Sequence, residues 1–99
     1  MTSTEKKCVL GRISDVNAIM SVNGNVFTIA LTFEREDGSS QMAKFVYDEH
    51  FRDFMLSCNA LSTEDLYDTV CKLFLSNDIN PVITKIRTVF TQPVELETY

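Results

Sequence analysis

The chain has 99 residues, 44% of them hydrophobic, and a formal net charge of −5. That is one domain with enough apolar content to bury a core without staples, and its acidic balance disfavours wrapping a nucleic-acid duplex, which needs clustered Lys and Arg. No apolar run approaches the roughly 18 residues of a membrane-spanning helix, and no apolar stretch follows the lysines of MTSTEKKCVLG, so neither a membrane association nor a signal peptide is expected.

Residues 1–6 are polar and are expected to be a flexible tail. From Cys8 to about Ser21 the chain reads as a long strand, with Leu10, Val16, Ala18 and Met20 on one parity and Gly11 marking a bend. Asn23-Gly24 is a two-residue hairpin signal that pairs Met20 with Phe27, Ala18 with Ile29 and Val16 with Leu31. The second strand alternates Phe27, Ile29, Leu31 and Phe33 with smaller or polar residues, which places one face on a core. Asp37-Gly38 turns the chain into a third strand over residues 42–47. A three-residue loop, Asp37 to Ser39, pairs Phe33 with Ala43, Leu31 with Phe45 and Ile29 with Tyr47, and keeps apolar residues together. It also puts Gly38 or its neighbour at a bulge position that favours a left-handed residue.

The period then changes. Asp48 is an N-cap, and Phe51, Phe54, Met55 and Cys58 form a helical stripe over 49–59, which Asn59 closes. Ser62 to Asp65 resembles a capping box with Asp at its last position, and Leu66 anchors that turn. Val70 to Leu75 is a strand with Cys71, Leu73 and Leu75 on one face; Asn77-Asp78 turns the chain, and Val82 to Phe90 is the last strand. Residues 91–99 are expected to be a second flexible tail. The order β-β-β-α-β-β, with one helix at 49–59, predicts a mainly β α+β single domain. Either a five-stranded OB-like barrel or a strongly curved antiparallel sheet fits it.

The segment NALSTEDLYDTVCKLFLSNDINPVITKI, residues 59–86, resembles a pattern in small uncharacterised phage-encoded β-barrel (OB-like) proteins: a helix, then a (S/T)-x-(E/D)-D-L-x-G turn, then two closing strands. Ser62, Glu64, Asp65 and Leu66 match, and Asp68 stands where the pattern favours Gly. The resemblance implies a phage or mobile-element protein and a shared way of building a small barrel; no residue role carries over.

No chemistry-bearing motif emerges. The three cysteines, Cys8, Cys58 and Cys71, have no C-x-x-C spacing and read as small buried apolar side chains in a reducing, cytoplasmic setting. His50 is the single histidine and has no visible nucleophile beside it, so no catalytic residue, metal or cofactor is expected. Charge is more informative. Asp48, Glu49, Asp53, Glu64, Asp65 and Asp68 make the helix and turn acidic, whereas Arg12, Lys44, Lys72, Lys85 and Arg87 lie on strands.

The expectation is a non-enzymatic binding protein whose acidic face captures a host or phage protein, as an inhibitor of a host defence factor would. The alternative is an OB-type binder of single-stranded nucleic acid or a nucleotide. It would use the five basic residues with Tyr47, Phe74 and Phe90 as stacking residues, while Phe27, Phe33 and Phe45 go to the core. A module that pairs with copies of itself through an exposed strand edge is the third class.

Overall fold

A computed structural model of the protein describes residues 7–20, 27–89 and 94–98. The expected tail at 1–6, the turn at Asn23-Gly24, Phe90, residues 91–93 and Tyr99 lie outside the described residues. Six strands form one antiparallel sheet: β1 (Lys7–Met20), β2 (Phe27–Arg35), β3 (Ser40–Val46), β4 (Val70–Leu75), β5 (Ile83–Thr88) and β6 (Glu95–Glu97), in the order β3-β2-β1-β4-β5-β6. The sheet curls into a half-barrel around one helix, α1 (Glu49–Ser57). The mainly β class is as the alternating pattern predicts; the curl is that of the open curved sheet, and it has one strand more than expected. No helix among the described residues is long and apolar enough to cross a membrane.

β1 is the spine. It pairs with β2 along Gly11–Met20 and with β4 along Lys7–Arg12. Met20 faces Phe27, Ala18 faces Ile29 and Val16 faces Leu31, the register a two-residue turn dictates. A bulge at Ser14 then shifts the register between Ile13 and Asp15. One extra residue exchanges the two faces of a strand, so Ile13 and Gly11 turn into the core while Leu10, expected there, is 41% exposed. Gly11 is required for packing. A Cβ on it would lie 2.5 Å from Leu73 Cδ1 and 3.1 Å from Phe33 Cβ.

The second hairpin keeps the expected parity but slips by two residues. Leu31 faces Ala43, Ile29 faces Phe45 and Phe33 faces Gln41. The loop is Glu36–Gly38: the Gly38 N–H donates to the Arg35 carbonyl at 2.9 Å and the Arg35 N–H to the Ser39 carbonyl at 2.8 Å. Gly38 takes the left-handed position, with φ 87°. That is a type I turn closed by a bulge, which needs glycine at its third residue. The Asp37 carboxylate accepts from the Ser39 N–H at 2.9 Å and hydroxyl at 2.6 Å, and these bonds, chiefly the hydroxyl's, hold its pKa below the ordinary value.

α1 begins as its sequence predicts. The Asp48 carboxylate accepts from the Phe51 N–H at 3.0 Å, and Phe51, Phe54 and Met55 are buried. The Phe51 ring lies 5.7 Å from Tyr47 and 6.2 Å from Phe45, centroid to centroid, which fixes the helix on the concave side of the sheet. Asn59, with φ 58°, ends it. A 3₁₀ turn, Thr63–Leu66, drops the fully buried Leu66 into the core. Asp68, at the position where the turn pattern favours Gly, has φ 70°. Its N–H donates to the Ile13 carbonyl at 2.8 Å, which ties the turn to β1 beside the bulge.

Cys71, Leu73 and Leu75 of β4 are all fully buried, as expected. The sixth strand comes from the polar segment assigned to a tail. Glu95 faces Arg87, Leu96 faces Ile86 and Glu97 faces Lys85, and Leu96 is buried. Val94 and Leu96 sit on one parity, so burying them against the core carries the strand.

Candidate functional site

The six carboxylates assigned to an acidic face do not act alike. Asp48 caps α1. Asp65 accepts from the backbone N–H groups of Leu61 at 3.0 Å and Ser62 at 3.3 Å. Asp68 lies 3.8 Å from the Arg12 guanidinium. Among the described residues Glu49, Asp53 and Glu64 carry no such structural role, and all three are exposed. The helix packs toward β6 and the 3₁₀ turn toward β1, so the acids stand on two parts of the surface with the 58–62 corner between them.

That corner holds what charge alone could not show. Leu61 is 89% exposed and Leu56 63% exposed. Together with Tyr47, Arg52, Met55 and Ala60 they line a shallow depression of about 160 Å³. Leu56 also shares a second depression with Asp53, Ser57 and Val94, and the Asp65 carboxylate holds the Leu61 N–H. The result is an apolar outcrop with Arg52 in its lining and two carboxylates near it, Asp53 across Leu56 and Asp65 beneath the Leu61 backbone. A signal for Leu56 was present in the sequence, since it falls off the Phe51–Phe54–Met55–Cys58 stripe.

The five basic residues divide as well. Lys44 is on the edge strand β3 and Arg12 on β1, with β2 between them. Lys72 faces Arg87 across the β4–β5 ladder, and Phe74 faces Lys85. The Lys85 Nζ stands 5.1 Å from the centroid of the half-buried Phe74 ring. β6 offsets part of the positive charge of this surface. Glu95 lies 3.7 Å from Lys85 and 4.0 Å from Arg87, and Arg12 is flanked by Glu34 and Asp68. Three of the five bases therefore face a carboxylate. Of the aromatics, Phe33 and Phe45 are buried as expected, while Phe27 is partly exposed and stacks edge-on against Tyr47 at 5.8 Å.

No family model matches the chain, and no curated protein or solved structure matches it. The geometry alone bears on function.

Among the described residues no group of three or more His, Cys, Asp or Glu is disposed to hold a metal ion. Burial pushes the Cys58 thiol up to about 11 and the Cys71 thiol up to about 12, so both stay protonated and unreactive at neutral pH. Cys8, expected to be buried, is exposed.

Proposed function

We propose that the protein acts by binding another protein through the corner between α1 and the 3₁₀ turn. The observation that carries this is the pair of exposed leucines, Leu56 and Leu61, around one depression whose single charged lining residue is Arg52, with Asp53 in the neighbouring depression that shares Leu56 and Asp65 bonded to the Leu61 N–H. Burying each leucine is worth about 1.5–3 kcal/mol, and nearby carboxylates speed encounter with a basic partner and set orientation. A partner that uses a basic groove for nucleic acid fits this chemistry. Occupying that groove would inhibit it, as a phage or mobile-element protein directed at a host defence factor would.

The test compares pull-down by the wild type, by Leu61→Asp and by a Glu49→Lys/Asp53→Lys/Glu64→Lys variant. These positions leave the caps Asp48 and Asp65 intact. A partner retained by the wild type and lost by both variants supports the proposal. A partner retained equally by all three refutes it.

Binding of single-stranded nucleic acid or a nucleotide is the second reading, favoured by Lys72 and Arg87 at facing positions of the β4–β5 ladder and by Lys85 over the Phe74 ring. It ranks lower because Glu95 neutralises part of that face. Affinity for a single-stranded oligonucleotide that does not fall steeply with salt would dismiss it.

A further inference from the structure

The half-barrel has a seam where β3 approaches the start of β5, with the short β6 beyond it. At one end it is pinned: the Gln41 side-chain amide donates to the Pro81 carbonyl at 2.7 Å. Beyond that point it opens into a cleft of about 520 Å³. One wall is Phe45, Val46, Asp48 and His50; the other is Lys85 and residues 95–98.

Both walls present strand edges. The Tyr47 N–H donates to Phe27 and the Ser39 carbonyl accepts from Arg35, so the odd-numbered residues of β3 hydrogen-bond to β2. Alternation then turns the N–H and C=O of Lys44 and Val46 outward. Likewise the Thr98 N–H donates to the Thr84 carbonyl and the Val94 carbonyl accepts from Thr88. The even-numbered residues of β6 therefore face β5, and the main-chain groups of Glu95 and Glu97 turn outward. Val46 and Glu97 both line the cleft. Its ionisable lining is Asp48, Glu95 and Glu97 against Lys85 and His50, and Lys85 already has Glu95 at 3.7 Å.

We infer that the seam is a strand-acceptor site that takes an extended, lysine- or arginine-bearing segment of a partner protein between β3 and β6. Main-chain pairing supplies affinity, and alternate side chains supply specificity. The segment's cations meet Glu95, Glu97 and Asp48, while its apolar residues pack beside the partly exposed Val46. A small polyamine satisfies the carboxylates but offers no strand edge to the two ladders. The site is separate from the Leu56–Leu61 corner and stands without it.

The test uses a fluorescein-labelled nonapeptide of alternating Lys and Val, measured by anisotropy at low salt. Three further probes accompany it: its Glu-Val counterpart, a copy N-methylated at alternate residues, and spermidine as competitor. The protein is used as wild type, Glu97→Lys, Val46→Pro and Leu61→Asp. The Val46 N–H points away from β2, so Val46→Pro blocks the edge without breaking the ladder. Circular dichroism checks the fold, and the N-methylated peptide tests main-chain pairing without any variant. Saturable binding of the Lys-Val peptide supports the inference if Glu97→Lys, Val46→Pro and N-methylation each weaken it by about tenfold, the worth of one strong hydrogen bond. Four results overturn it: no saturable binding, equal binding of the Glu-Val or N-methylated peptide, full displacement by equimolar spermidine, or loss of binding in Leu61→Asp.

Discussion

Gly11 offers the sharpest test of how the sheet curls. Substituting Gly11→Ala puts a methyl group 2.5 Å from Leu73 Cδ1, 3.1 Å from Leu73 Cγ and 3.1 Å from Phe33 Cβ. Leu73 and Phe33 are fully buried, so neither can swing into solvent. Overpacking of this kind costs about 1–3 kcal/mol. Restricting the unfolded chain returns about 0.4–1 kcal/mol. The net expectation is a loss of about 1–2 kcal/mol, or about 4–16 °C in Tm for a domain of this size. Urea unfolding should show a lower midpoint with an unchanged slope. Leu73→Ala removes both Leu73 atoms that crowd the new methyl, so Gly11→Ala should cost little in that background. An unchanged midpoint in the single variant, or the same loss in both backgrounds, would refute the steric explanation.

Further outcomes follow from the geometry. Asp48→Ala orphans the Phe51 N–H and should cost about 1 kcal/mol, read from the same unfolding curves. A thiol reagent at neutral pH should label one cysteine, Cys8, promptly, with Cys58 and Cys71 reacting only on unfolding. Because burial raises those two thiols from 9.0 to about 11 and about 12, the unfolded chain loses its protons first as pH rises. Their contribution to stability is therefore full below about pH 9 and declines as pH rises from there toward 12. Unfolding midpoints measured across that range check the sign.

Much of the fold was legible because each local signal acts at short range. The Asn23-Gly24 signal predicts the register that β1 and β2 show, and Asp48 and Asn59 mark the two ends of the helix. The second hairpin slipped because Asp37-Gly38 fixes where the left-handed residue lies but not which loop position it fills. The Ser14 bulge left only a faint trace. Val9, Gly11 and Ile13 share one parity and Val16, Ala18 and Met20 the other, with polar residues at the change. β6 was hidden for a different reason. Three residues with two glutamates have little strand preference, and the strand forms on the β5 edge that the rest of the chain supplies. The same omission misjudged the basic face, since Glu95 arrives with β6. Of the exposed leucines, Leu56 is marked by falling off the helical stripe, whereas Leu61 lies outside any periodic element and carries no such mark.

The divided pairing of β1 has a consequence for how the chain folds. Strands β1 to β3 pair in chain order and need only nearby contacts, and β4 to β6 do likewise. The ladder that joins the halves is the one where Lys7–Arg12 meets Val70–Leu75, roughly 60 residues apart in sequence. Closing that loop is the entropically costly event. The two meanders can form as separate cooperative units, and their docking along the start of β1 sets the folding rate. Gly11 sits in that junction, so its replacement should slow refolding, whereas removal of the Asp48 cap should chiefly speed unfolding.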